Sequence, residues 1–222
     1  MSKILVIPRT ELTLPYSGFT SISPNMEKYL TGAGIFRERS EMEVDITYKQ
    51  IIPYMVLEQS GKIFVYQRKC SNDSEARLAS KISIGVGGHC DMTDYGDGPD
   101  PLIITALKRE LREELNILPN IEGSTAQVLG IVNHDGPEDN GVHQVHLGLA
   151  FMVSIPSECR VLIRETDKLE SCGFKTLPEL AEMIASPDET KPMELWSRLL
   201  ITPFLHDGFS WIGKSGNGFY TL

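Results

Sequence analysis

The stretch that decides the fold is PLIITALKRELREELNI, residues 101–117. Taken at 100° per residue, Ile104, Leu107, Leu111 and Leu115 fall on one apolar stripe, which predicts a helix with one face on a core. Pro101 suits a helix start, where a missing N–H costs nothing, and Asp100 before it suits the N-cap position. On the neighbouring arc stand Glu110, Glu113 and Glu114, at i, i+3 and i, i+4 spacings that bring three carboxylates onto one patch. Like charges so placed destabilise a helix unless a cation offsets them, and oxygen donors with waters and phosphates are the shell that Mg²⁺ or Mn²⁺ takes. Arg109, four residues before Glu113, can hold a carboxylate through its planar fork. While the helix is taken alone, a solvated charged face is the ordinary reading of these residues.

Working outward, residues 82–88 alternate Ile82, Ile84 and Val86 with small residues, predicting a strand that ends at Gly87-Gly88. A loop rich in Asp and Gly, residues 89–100, joins it to the helix. Further upstream, residues 50–57 and 62–68 read as a β-hairpin turning at Gly61, followed by a polar loop over 69–79. Residues 1–47 carry the breakers Pro15, Gly18, Pro24, Gly32 and Gly34 and one charged stretch, 37–45, that suits a short helix. They read as an N-terminal extension to a domain over 48–222, available to cover a sheet edge or to build a homodimer. Downstream, residues 126–133 and 142–155 suit paired strands around a turn-rich loop over 135–141. A short strand near Phe174 and helices over 178–185 and 192–200 complete the chain. No internal repeat and no low-complexity tract interrupts it.

The glycine pair Gly87-Gly88, the run from Arg109 to Leu115 and the pair Asn116-Ile117 together resemble the Nudix box. That signature is a Gly, five residues, Glu, seven residues, then Arg-Glu, an aliphatic, any residue, Glu-Glu, any residue, Gly and an aliphatic. The resemblance implies an α/β fold, an α/β/α sandwich around a mixed β-sheet. It also implies hydrolysis of the phosphoanhydride bond in a nucleoside diphosphate-linked or related small molecule, with Mg²⁺ or Mn²⁺ as cofactor. Carried over residue by residue, Glu110 and Glu114 are the principal metal ligands, Glu113 is a further ligand or the general base, and Arg109 belongs to the same catalytic group. Gly87, Gly88 and His89 fall beside the substrate, and Arg68 matches an arginine that contacts substrate phosphate at the end of the second hairpin strand.

Two departures stand out. Asn116 replaces the glycine of a helix C-terminus that needs positive φ, and Asn is the residue that tolerates that region best after Gly. Gly88 lies 21 positions before Arg109, where the signature has 14, and Pro101 stands where counting back from Arg109 places the first Glu. Asp91, Asp94, Asp97 and Asp100 in the longer loop are the candidates to replace it, against a plain reading as acidic turn residues.

Outside the box, Asp135, Glu138 and Asp139 are open as a general base, although turn residues of this kind need no such role. His89, His134, His143 and His146 show no spacing of a recognised zinc ligand pair, so a zinc site is not expected, but His89 and His146 could border the phosphates. Tyr66 and Phe64 are candidates for a face that stacks on a base, with at least one of them in the core. Cys90 follows the glycine turn without an identifiable activating partner.

The bulk properties narrow the classes. The 222 residues carry a formal charge of −9, which weighs against a nucleic-acid duplex as partner, since such binding draws on clustered Lys and Arg. Four cysteines, Cys70, Cys90, Cys159 and Cys172, have neither zinc-knuckle spacing nor the density of a disulfide scaffold, so reduced thiols are expected. No apolar run reaches the length of a signal core or a membrane span, and the expected place is the cytoplasm with no membrane partner. Two other functions compete on the same fold. A non-catalytic ligand sensor or interaction domain should have lost box carboxylates, all three of which are present. A diphosphate isomerase would bring a cysteine motif ahead of the box, which is absent here.

Overall fold

The computed structural model describes residues 2–13, 15–21, 30, 32–69, 78–96, 100–208 and 218–222. Asp97 and Cys70 lie outside them. The spine is a pair of long strands, β4 (Tyr48–Gln59) and β10 (His146–Ser154), which run parallel with Gln50 opposite His146. The hairpin partner β5 (Lys62–Arg68) follows β4 through Ser60-Gly61, both at positive φ (52° and 79°), the backbone that a tight two-residue turn requires. β9 (Thr125–His134) pairs antiparallel with β10, and β12 (Leu169–Thr176) with β5. The path β12-β5-β4-β10-β9-β13, ending on β13 (Phe219–Thr221), is therefore a mixed sheet.

Alternation decides what each face buries. Along β4, Ile51, Met55 and Leu57 join one apolar cluster while Ile52, Tyr54 and Val56 join another; along β10, Leu147, Leu149, Phe151 and Val153 part in the same way from Ala150 and Met152. Both faces are covered. The first cluster takes in Ile103, Ile104, Ala106, Leu107 and Leu111 of the helix Leu102–Glu114, and the second takes in Leu180 of Leu177–Ala185 together with Trp196, Leu200, Ile201 and Phe204 of Leu195–Asp207. This is the expected α/β/α sandwich. With the four-residue helix Arg39–Met42 as α1, these three are α2, α3 and α4. Phe64 and Tyr66 both point into the first cluster and are 2% and 0% exposed, so neither offers a stacking face for a base.

The expected strand over 82–88 is broken at Ile84 into β6 (Ile82–Ser83), paired with β5, and β7 (Gly85–Gly87), paired with β4. It fills the gap where β4 and β5 diverge. Two helix-end expectations fail. Asp100 makes no cap: Pro101 occupies that position without a side-chain bond, and the Asp100 carboxylate instead pairs with Lys108 at 2.7 Å. Asn116 does not adopt positive φ, because α2 passes at Leu115 directly into β8 (Leu115–Leu118), which pairs with β11 (Arg160–Ile163).

The segment before Tyr48 contributes three strands to the main sheet. β1 (Lys3–Pro8) pairs with β4 and with β3 (Ile35–Glu38), and β2 (Ser17–Ser21) pairs with β9. Cys90, Cys159 and Cys172 are free thiols, and among the described residues no helix is long and apolar enough to cross a membrane.

Candidate active site

The loop after β7 and the last two turns of α2 face each other across a groove. Its lining includes Gly87, Gly88, Asp91, Arg109, Glu110, Glu113 and Glu114. Glycine is required at the first position of the pair, and at the second it leaves room for a carboxylate. A Cβ on Gly87 would run into the carbonyl oxygen of Pro53 on the neighbouring strand, and one on Gly88 into the Glu110 carboxylate.

Arg109 organises the acidic side. Its Nε and Nη2 donate to the two oxygens of Asp94 at 2.7 and 2.8 Å, a fork-to-fork pair, while Nη1 reaches Glu110 at 2.6 Å and Glu113 at 3.3 Å. Nη2 also donates to the His89 carbonyl at 2.9 Å, tying the helix to the glycine loop. Asp94 is thus the residue that holds Arg109 where the box lacks its first Glu. It sits at the end of a 3-10 turn, Met92–Asp94, whose reciprocal cap has the Asp91 amide donating to Asp94 Oδ2 at 2.8 Å and the Thr93 amide donating to Asp91 Oδ1 at 3.0 Å. The Asp94 side chain is 3% exposed, against 14% for Glu110 and 55% for Glu113. Burial pushes the Glu110 carboxyl above the ordinary carboxylate range; Arg109 opposes this, and Glu113 and Asp94 add to it.

A second cleft opens on the other side of Gly87-Gly88. Its walls include Ile52, Tyr54, Arg68, His146 and Trp196, and Arg39, Gly87, Gly88 and His89 border both clefts. Arg68 is buried, donates to the Tyr66 hydroxyl at 3.2 Å and lies 5.6 Å from that ring's centre. Opposite it, Glu194 accepts from Ser83 and, at 3.3 Å, from the Tyr54 hydroxyl. The Trp196 indole N–H is buried and finds no hydrogen-bond partner among the described residues. The His89 ring is held well below the ordinary imidazole range by burial and, secondarily, by His146, Arg39 and Arg109, so it is neutral.

The structure brings Gly87, Gly88, Arg109, Glu110, Glu113 and Glu114, together with Arg68 and His89, around these two clefts, whereas Asn116 and Ile117 lie in β8 and line neither. The remaining base candidates go elsewhere. Asp135 is paired at 2.8 Å with both Arg9 and the fully buried Lys49, and Glu138 bonds the His134 ring at 2.6 Å. The Asp139 side chain lies outside what the structure describes. His134 also bonds Ser17, and His143 stacks on Trp196 with ring centres 4.9 Å apart. Sequence reasoning missed Arg39, Glu43, Glu165 and Lys168, which line one or both clefts. Glu165 and Lys168 come from the turn after β11, where they pair at 3.2 Å.

The donor set and the room in the groove fit a hard divalent cation. Three carboxylates line one wall, and the glycine opposite leaves space that any side chain would fill. The three are not gathered as a tight trio, since Arg109 Nη1 is bonded to both Glu110 and Glu113. An ion that keeps several waters and binds through one or two carboxylates plus substrate oxygens does not need one.

No family model matches the chain. Over 206 residues it is 29% identical to Protein YmaB of Bacillus subtilis (strain 168), a match spanning 89% of this chain and 95% of that one. Its fold is similar to the crystal structure of Tm1382, which carries a provisional Nudix hydrolase assignment: TM-score 0.68 and 26% identity, covering 92% of this chain and 98% of the other. DR0079 from Deinococcus radiodurans shares the fold at a TM-score of 0.52 and 14% identity, covering 90% and 98%.

Proposed function

We propose that this protein is a pyrophosphohydrolase of the Nudix type that cleaves a phosphoanhydride bond in a nucleotide-linked or related small molecule, using Mg²⁺ or Mn²⁺. A fold similar to that of Tm1382 and the resemblance of residues 87–117 to the Nudix box support this reading. The observation that carries the reading is the network in which Asp94 clamps Arg109, Arg109 holds Glu110 and Glu113, and the Glu110 carboxylate lies against Gly88. Glu110 and Glu114 would hold the cation, with Glu113 beside them as a further ligand or as the base. When bound, it supplies charge neutralisation at phosphate oxygens and activation of water.

The chain's own residues supply the remaining chemistry. Gly87 and Gly88 leave a flat wall against which a diphosphate can lie, with the cations Arg39 and Lys168 on the groove to receive its charge. Arg68 and the apolar cleft beside it receive the group attached to the diphosphate. Water oxygen attacks one phosphorus, its proton passes to a carboxylate, and the bridging P–O bond breaks with its electron pair leaving on the other phosphate. Glu113, the most exposed of the carboxylates bonded to Arg109, is the proposed acceptor of that proton, and Glu165 is the other carboxylate of the groove placed to compete for the role. A cytoplasmic location belongs to the same reading, supported by the free thiols of Cys90, Cys159 and Cys172.

The test is a turnover screen with Mg²⁺ or Mn²⁺ against nucleotide sugars, dinucleoside polyphosphates, NADH, CoA and nucleoside triphosphates, with Glu114→Gln as control. Turnover of at least one class, lost by about 100-fold or more in the variant, is expected. No turnover of any member, with ligand binding undiminished in Glu114→Gln, would sink hydrolysis and leave the Nudix-fold sensor. The products show which phosphorus is attacked.

A further inference from the structure

Glu43, His89 and His146 come from three separate parts of the chain: the end of α1, the loop after the glycine pair and the first residue of β10. Among the described residues they are the one group of three potential ligands whose donor atoms, a carboxylate oxygen and two ring nitrogens, all lie within 4.8 Å of one another. We propose that these three side chains form a second cation site, for a divalent ion of the zinc class, in the wall of the apolar cleft.

The geometry fits such an ion. His146 Nε2 and His89 Nε2 are 3.4 Å apart. Two nitrogens bound at about 2.0–2.1 Å to a tetrahedral zinc are held roughly 3.3–3.4 Å apart by the angle alone. That is longer than the ~2.7–3.2 Å of an N–H donor on its acceptor. The His146 ring is also fixed from behind: Nδ1 donates to the Val142 carbonyl at 2.6 Å, which leaves the lone pair of Nε2 facing His89. A backbone carbonyl on the far nitrogen is the usual means of orienting a ligating imidazole. On the other flank, Gln50 gives its amide N–H to the Met42 carbonyl at 3.0 Å, and this aims its Oε1 at His89 Nε2, 2.7 Å away. Without an ion, that contact is an ordinary hydrogen bond from His89 to Gln50. With one, the His89 proton moves from Nε2 to Nδ1 by exchange with solvent, Nε2 gives its lone pair to the ion, and Gln50 turns aside or supplies a neutral oxygen to the shell.

Donor type separates this site from the glutamate groove. Imidazole nitrogens favour zinc-class ions over Mg²⁺, and carboxylates with waters favour the reverse. Two histidines and one glutamate leave a coordination position for a ligand. Arg39 and Arg68 line the same cleft, so an anionic oxygen on the group it receives is the chemistry an ion here would select.

Binding of the metal alone tests the proposal, whatever becomes of the hydrolysis screen. Chelator-treated protein is titrated with Co²⁺, followed by visible absorption, and with Zn²⁺ by calorimetry. One equivalent of Co²⁺ with the intense bands of tetrahedral coordination is expected, displaced by Zn²⁺ but not by excess Mg²⁺, and unchanged in Glu114→Gln. His146→Ala and His89→Ala should each weaken it by about 100-fold or more. Glu43→Gln, at a partly exposed helix end, should also weaken it without threatening the fold, which circular dichroism verifies. Absence of the bands, binding equal to wild type in both His89→Ala and Glu43→Gln, or loss in Glu114→Gln would each overturn the site.

Discussion

Each guanidinium nitrogen of Arg109 has a carboxylate partner: Nε and Nη2 meet Asp94, and Nη1 meets Glu110 and Glu113. The strongest of these is the fork on Asp94, because both bonds are charge-assisted and the carboxylate is almost fully buried. Asn in its place offers one acceptor and one donor to a group that has only donors, so one Arg109 nitrogen is left facing an N–H. The guanidinium then moves toward Glu110 and Glu113 and occupies the oxygens that the cation needs. Asp94→Asn should lower turnover by about 10–100-fold, the range found when the support behind a metal ligand is removed. The stability cost lies at the lower end of about 1–3 kcal/mol, because Arg109 is partly exposed and water repairs part of the loss. Turnover and a thermal melt on the same preparation check both; full activity in the variant would show that Asp94 is no more than a loop cap.

At the scale of elements, the turn from β7 to the loop separates fold from chemistry within two residues. Gly87 faces backbone, which cannot yield, whereas Gly88 faces the end of a flexible side chain. Gly87→Ala should break the β7–β4 pairing and cost on the order of 1–3 kcal/mol or more. Gly88→Ala should melt close to wild type yet lose turnover by about 10-fold or more, because it displaces Glu110. A pair of melts and a pair of rates decide it; equal rates in Gly88→Ala and wild type would remove the glycine from the site. The sequence made α2 and its carboxylates legible, since a stripe of Ile104, Leu107 and Leu111 leaves little choice about what lies on the next arc. It also carried Asp94. Counted forward from Gly88, the sixth residue is Asp94, the spacing of the signature's first Glu, so the added residues fall between Asp94 and α2. Counting back from Arg109 gave Pro101 instead, and periodicity has no means of saying on which side of an acidic residue an insertion falls. Asn116 misled for a related reason: an expected helix cap presupposes a turn, and here the helix runs straight into β8.

Over the whole molecule, residues far apart in the chain reach the site through strand pairing, and that was beyond local pattern. Arg39 and Glu43 gave no signal except a charged stretch, because their position depends on β1 lying between β3 and β4. β1 does more than hold α1. Its Leu5 amide donates to the Cys90 carbonyl at 2.8 Å, and Ile4 bridges Asp91, so the N-terminal strand also pins the loop that carries Asp94. Ile4, Leu5, Val6 and Ile7 are each at most 2% exposed. At about 1.5–3 kcal/mol for each buried aliphatic side chain, their removal would cost a sum comparable to the roughly 5–15 kcal/mol by which a domain is stable. Deletion of residues 1–8 should therefore leave a chain with no cooperative melt and rapid cleavage by protease, which a molecule with a detachable extension would not show. Ile7→Ala gives a graded form of the same test, with an expected loss of about 2–5 kcal/mol. If the shortened chain melts cooperatively near the wild-type temperature, β1 is an accessory to the sheet; if it melts but has lost turnover, the strand serves the Asp94 loop alone.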